Sequence, residues 1–116
     1  MAEDLENRSE RSRADVTALT HESQRRETVL SCLSRFDDAV TLADLADEVA
    51  VEETASPITS ISGDYIKEVY LTLYHAEIPY LVDQGILAYD QESDLLTVKS
   101  EQGLSKLLDD IRSPNR

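Results

Sequence analysis

Histidine and cysteine, which often carry catalysis or bind metals, are scarce in this sequence. Its two histidines, His21 and His75, are far apart in the chain, and the single cysteine, Cys32, shares no metal-ligand spacing with either. A zinc site needs three or four suitable ligands, so no metal site is predicted. The sequence also lacks a glycine-rich phosphate loop and a nucleophile elbow. We therefore predict that the protein is not an enzyme and needs no cofactor. Cys32 is predicted to be a small residue at the edge of the core, with a redox-sensing thiol as the alternative.

Carboxylates are abundant, with 24 acidic against 11 basic residues and a formal net charge of −13. Residues 23–100 alone contain fifteen acidic and five basic residues. At this density pairs of carboxylates arise by chance and indicate no acid–base dyad. An even spread of acid with few lysines is typical of a surface adapted to high salt, because molar salt shortens the Debye length to about 3 Å and screens self-repulsion. The alternative is an acidic protein from a low-salt organism with a basic partner.

Helical elements are predicted from capping residues and from apolar residues spaced by three or four. The predicted N-caps are Ser23, Thr41, Ser62 and Ser100. The first helix is expected from Ser23 to about Phe36, the second after Thr41, the third over about 63–84 and the last over 101–112. Leu42, Leu45, Ala46 and Val49 would form the buried stripe of the second helix. Pro79 lies inside the third helix, where a proline removes one backbone donor and predicts a kink.

The remaining segments complete a single domain. Residues 1–13 are predicted to be a disordered arm, because they contain too little apolar surface to offset the entropy of ordering. A very short strand is expected at residues 39–40, and two more strands at 86–89 and 95–98 around the polar turn 90–94. In the connection 52–62, Pro57, Ile58 and Ile61 are expected to cover the core.

Composition also limits location and partners. One cysteine permits no internal disulfide and fits a reducing compartment. The apolar runs are far shorter than the roughly 20 residues that span a bilayer, and the N-terminus has no signal-peptide core. We expect a cytoplasmic protein that does not associate with membranes.

The order helix, short strand, helix, helix, strand, turn, strand is that of a winged helix-turn-helix domain, predicted here over residues 14–99. A three-helix bundle with a terminal hairpin would give a similar pattern. The segments QRRETVLSCL, VTLADLADEVA, SPITSIS, VYLTLYHAEIPYLVDQGIL and YDQESDLLTV resemble a family of winged-helix proteins from halophilic archaea. More distantly, the helix rich in tyrosine and histidine resembles the recognition helix of ArsR- and PadR-type repressors. The resemblance implies a mainly α fold with a small β-hairpin and a role in transcription regulation.

On that model, helix 63–84 would enter the major groove of duplex DNA and the hairpin at about 86–98 would be the wing. Its outward face is predicted to carry Asp64, Glu68, Thr72, His75 and Pro79, which follow one another by three or four residues. Thr72 and His75 are the predicted contacts to base edges. Tyr65 and Lys67 are predicted to contact the DNA backbone. The remaining candidates are Arg25 and Arg26, at the start of the first helix.

Structural roles compete with each of these assignments. His75 is also explained as a surface or packing residue, and the two arginines as an exposed helix start. The outward face has no arginine and includes two acids, while the wing turn has three acids and no base, which is the wrong sign for phosphate. High salt reduces the free energy gained from contacts between basic residues and phosphate, so a DNA-binding protein in high salt needs fewer of them. The acidic composition therefore weakens the prediction of DNA binding but does not exclude it.

The final helix has an apolar stripe that must be buried against the first helix of its own chain or against a second copy, formed by Leu104, Leu107, Leu108 and Ile111. Because many winged-helix regulators dimerise through terminal helices, we predict a homodimer. The predicted function is a DNA-binding transcriptional regulator. The alternative is a non-enzymatic module that binds another protein.

Overall fold

The structure of the protein is a computed structural model that describes residues 24–113. It is mainly α-helical with a small antiparallel sheet, as predicted. The helices are α1 over residues 24–34, α2 (Leu42–Thr54), α3 (Gly63–Thr72), α4 (Ile78–Asp83) and α5 (Glu101–Arg112). The strands are β1 (Val40–Thr41), β2 (Leu87–Asp90) and β3 (Leu95–Val98). The predicted arm 1–13 and the predicted cap at Ser23 lie outside the described residues.

The predicted helix caps are confirmed. The hydroxyls of Thr41, Ser62 and Ser100 each accept the backbone N–H three residues further on, at 2.8–3.1 Å. Gly85 follows α4 with a φ of +75°, the left-handed conformation that glycine adopts without a steric penalty. Helix α1 ends at residue 34, two residues before the predicted end at Phe36.

The disturbance predicted at Pro79 takes the form of a π-helical turn. Residues Leu73–Glu77 form this turn between α3 and α4, and the N–H of Ile78 donates to the carbonyl of Leu73, five residues earlier. A proline lacks an N–H and its ring crowds the carbonyl four residues before it. The wider turn changes the hydrogen-bond pattern immediately before Pro79, so α3 and α4 follow each other without an intervening loop.

The three strands form one antiparallel sheet in the order β1-β3-β2. Val40 lies opposite Leu96, and β2 pairs with β3 from Leu87 opposite Val98 to Asp90 opposite Leu95. The first strand is Val40–Thr41 and not the predicted 39–40. Its side chains explain the shift, because Val40 is buried whereas Ala39 is exposed.

The core combines one face of each helix with the sheet. The predicted stripe of α2 is confirmed, since Leu42, Leu45, Ala46 and Val49 are all fully buried. The expectation for Pro57 and Ile58 is wrong: both are exposed, Ile58 by 40 %, because α2 continues to Thr54 and the chain then forms a separate 3-10 turn over Ile58–Ser60. Ile61, in contrast, packs against the core.

The observed element order and sheet are compatible with a winged helix, in which α2 and α3 form the helix pair and β2 and β3 form the hairpin. Within residues 24–113, no helix has both the length and the apolar character needed to cross a membrane.

Candidate nucleic-acid interface

The outward side of α3 and the following turn form a strip of charged, polar and apolar side chains. Asp64, Lys67, Glu68, Leu71 and His75 are exposed and Thr72 is half-buried. Together these six side chains line a shallow surface groove of about 390 Å³. The structure therefore brings together three of the predicted DNA-binding residues, Lys67, Thr72 and His75, in what we call the α3 strip.

His75 is held at the end of the α3 strip by an aromatic contact. Its ring lies parallel to that of Tyr74, with an interplanar angle of 3° and 5.1 Å between centroids. The ring of Tyr74 in turn contacts Tyr70 edge-on at 6.5 Å and Tyr89 of strand β2 at 6.2 Å. The orientation of His75 is thus linked to residues of both α3 and the hairpin.

Tyr65 does not belong to this strip, and its predicted contact with the DNA backbone is not supported. Its hydroxyl donates to Oε1 of Glu53 in α2 at 2.6 Å. This hydrogen bond, together with burial, raises the pKa of the Tyr65 hydroxyl. The side chain joins α3 to α2, so its hydroxyl is already used within the fold.

The two arginines of α1 are also engaged within the fold. Arg25 binds both carboxylate oxygens of Glu53, with 2.9 Å between Nη2 and Oε1. Nε of Arg26 lies 2.9 Å from Oε1 of Glu77, and its guanidinium carbon lies 4.1 Å from the centroid of the Tyr80 ring. Both arginines are half-buried, which contradicts the expectation of an exposed helix start.

Every arginine between residues 24 and 113 pairs with a carboxylate. The other two pairs are Arg35 with Glu52 at 3.1 Å and Arg112 with Glu27 at 2.9 Å. None of the lysines in this range takes part in an ion pair, and among them only Lys67 lies in the α3 strip. The structure thus assigns the arginines to joining helices, so Lys67 is the cationic member of the strip.

A cavity of about 600 Å³ between α1, α2 and α3 offers no free charge to a ligand. Its carboxylates are those of Glu27, Glu53 and Glu77. Each of them is already paired with an arginine. Among the described residues no cluster of His, Cys, Asp or Glu has an arrangement that could hold a metal ion.

Asp94, in the turn of the hairpin, makes contacts that the sequence did not indicate, since there it is only one of three turn acids with Asp90 and Glu92. In the structure it is half-buried, adopts a left-handed φ of +59°, and accepts hydrogen bonds from the hydroxyls of Tyr70 and Tyr89 at 3.0 and 2.6 Å. The only available signal was its position directly before β3, where Asp and Asn are tolerated at positive φ.

The apolar stripe of α5 is covered by its own chain. Leu104 and Leu108 are 1 % and 8 % exposed and belong to the core, and Leu107 and Ile111 pack against it. Of the two partners considered for this stripe, the structure shows the intramolecular one. Leu104 and Leu108 are therefore part of the core of a single chain.

Cys32 is fully buried, which agrees with its prediction as a core residue. Burial raises the pKa of its thiol to about 11, although the nearby Arg35 opposes this shift. A thiol with such a pKa is protonated at neutral pH and therefore poorly nucleophilic.

Residues 16–97 match the model of a family described as a domain of unknown function (DUF7344). The match ends within β3, so α5 lies outside it. No curated protein and no solved structure matches the chain.

Proposed function

The chain belongs to the DUF7344 family, and we propose that it is a winged-helix protein of a halophilic archaeon that binds duplex DNA and regulates transcription. Helix α3 is the recognition helix and the β2–β3 hairpin is the wing. Support for the fold comes from the packing of α2 on α3 and from a hairpin extended by β1. In this arrangement no residue between 24 and 113 covers the outward side of α3.

The observation that carries the proposal is the clustering of Lys67, Thr72 and His75 on that open side. A lysine there neutralises a phosphate, while a threonine hydroxyl and an imidazole can hydrogen-bond to base edges in the major groove. Leu71, which is 42 % exposed between them, offers an apolar contact to a thymine methyl group. These side chains of α3 and the π turn therefore offer one phosphate contact, two hydrogen-bonding groups and one apolar contact.

The acids of the strip set limits on how such binding works. Asp64 and Glu68 repel phosphate, although a carboxylate can accept a hydrogen bond from cytosine N4. Because the described arginines are already paired within the fold, little of the affinity comes from counterion release. Binding should consequently depend weakly on salt, as a protein working in molar salt requires.

A second function, docking of another protein, is favoured by exposed apolar side chains of α3 and α4. Leu71 is 42 % exposed and Val82 of α4 is 40 % exposed. Apolar side chains presented by a helix can anchor a protein partner. DNA binding predicts that the chain captures a DNA duplex, whereas docking predicts that it captures a protein.

The test is selection from fragmented genomic DNA by the full chain in high KCl, followed by sequencing. We expect a small set of enriched loci, and no enrichment from folded protein would contradict DNA binding. On an enriched duplex, His75→Ala should weaken binding by about 1–3 kcal/mol. Lys67→Gln should weaken it and lower the salt slope by about one. Lys106→Gln on α5 is the matched control and should leave affinity unchanged.

A further inference from the structure

Asp94 connects the hairpin with two helices. Oδ1 accepts from the hydroxyls of Tyr70 and Tyr89, as described above, and Oδ2 accepts the N–H of Ala43 at 3.2 Å. The backbone carbonyl of Asp94 accepts the N–H of Leu42 at 2.8 Å. One residue therefore fixes the turn to the N-terminus of α2 and, through a tyrosine, to α3.

The chemistry at this position requires a carboxylate. An ionised carboxylate only accepts hydrogen bonds, and all the groups that face Asp94 in these contacts are donors. Bonds to an ionised acceptor are also stronger than neutral ones. An asparagine would keep one acceptor oxygen for the tyrosines but would place an NH₂ group against the N–H of Ala43.

The two tyrosines that Asp94 holds both contact the ring that supports His75. Tyr70 and Tyr89 lie 6.5 and 6.2 Å from Tyr74, measured between ring centroids, and Tyr74 stacks on His75. The amide of Gln91, also in the hairpin turn, donates to the Tyr74 hydroxyl. A continuous series of contacts thus leads from the turn to the exposed end of the α3 strip.

We propose that Asp94 is a positioning residue for DNA recognition: by holding Tyr70 and Tyr89 against Tyr74, it fixes the orientation of the His75 ring in the α3 strip. The inference rests on the proposed function, because it assigns Asp94 a role at the same interface. In this role the wing turn contributes to DNA recognition by positioning His75, which does not require a basic residue. The other turn acids do not share this task, since Glu92 is exposed and the carboxylate of Asp90 accepts from the backbone N–H of Glu92.

The test compares Asp94→Asn with Glu92→Gln, which removes the same charge from the same turn. Two quantities are measured at a temperature where each variant is fully folded by circular dichroism. They are the ring-proton chemical shifts of His75, which report its stacking on Tyr74, and the affinity for an enriched duplex. We expect Asp94→Asn to move the His75 shifts and to weaken binding at least about tenfold. Glu92→Gln should leave the shifts unchanged and bind equally or slightly better, because one repelling charge is lost.

A double-variant cycle separates positioning from a general structural role. If Asp94 acts through His75, adding Asp94→Asn to His75→Ala should cause no further loss of affinity. A tenfold loss in both backgrounds would overturn the proposal, and so would unchanged His75 shifts in Asp94→Asn. Should Asp94→Asn fail to fold, Tyr89→Phe removes one of the hydroxyls that Asp94 holds and is expected to move the same shifts.

The two proposals fail in different ways. If the wild-type chain enriches no duplex, the proposed function is wrong and Asp94 has no part in DNA recognition. If the wild type binds DNA but Asp94→Asn binds as tightly, the proposed function stands and the role of Asp94 is wrong.

Discussion

Removing the guanidinium of Arg26 should strongly destabilise the protein, because Glu77 would then be a buried carboxylate without its cation. The Glu77 side chain is only 7 % exposed and that of Arg26 is 31 % exposed, with 2.9 Å between their bonded atoms. Breaking a buried ion pair from one side costs about 3–5 kcal/mol. The contact of Arg26 with the Tyr80 ring adds about 0.5–1 kcal/mol. Because Arg26 is partly solvated, the lower end of the range applies to the ion pair, and with the ring contact Arg26→Met should reduce the free energy of unfolding by about 3.5 kcal/mol.

The assay is urea unfolding followed by circular dichroism at pH 7 and constant high KCl. With a slope of about 1–3 kcal/mol per molar urea, the midpoint should fall by roughly 1–3 M. Arg112→Met is the matched control, since it breaks an ion pair with Glu27 in which both side chains are well exposed, at 49 % and 38 %. An exposed pair contributes about 0–1 kcal/mol, so this variant should remain close to the wild type.

The cost should come from the unpaired carboxylate and not from lost packing. Replacing both partners, as in Arg26→Met with Glu77→Leu, removes the buried charge altogether and should recover most of the stability. An Arg26→Met variant no less stable than Arg112→Met, or a double variant less stable than Arg26→Met, would contradict a buried and unpaired Glu77 carboxylate.

Three further predictions concern salt, backbone and thiol. Because acidic residues are in excess, the thermal unfolding midpoint should keep rising with KCl above the concentration at which charge repulsion in an ordinary protein is already screened. A midpoint that falls with KCl would contradict the halophilic interpretation. Gly85→Ala should cost about 1 kcal/mol in denaturant unfolding because of its positive φ, whereas Gly63→Ala, also in open space but without a positive φ, should be neutral or stabilising. The pKa of the Cys32 thiol is raised from 9.0 to about 11 in the folded state, so its contribution to stability is complete below pH 9 and is lost as the pH rises to about 11. The difference in free energy of unfolding between wild type and Cys32→Ala should therefore shrink over that interval, and a difference that stays constant would count against the raised pKa.

The elements that rest on local patterns could be predicted from the sequence. The caps at Thr41, Ser62 and Ser100 each depend on one hydroxyl and the following turn, and α5 covers the predicted residues 101–112. The apolar spacing of α2 likewise identified its buried side. In these cases the information lies within a few residues of the feature itself.

The pairings that decide the candidate site could not be predicted in this way. Arg25 meets a carboxylate 28 residues away, and Arg26 meets one 51 residues away. No local spacing distinguishes such an arginine from a free one, because the partner depends on how α1 packs against α2 and the π turn. Asp94 presents the same difficulty, since one of its partners, Ala43, lies 51 residues away. The open strip of α3, in contrast, follows from the helical period that predicted it.

The bonds from Asp94 to the first turn of α2 have a consequence for the order of folding. A helix leaves its first N–H groups without intrahelical partners, and here those of Leu42 and Ala43 are satisfied by a residue about fifty positions later. During synthesis from the N-terminus, α2 can form its own turns long before the hairpin emerges. Its start, however, is completed only when residue 94 arrives. The exchange rates of those two amides should consequently report the opening of the hairpin and not the fraying of α2 itself.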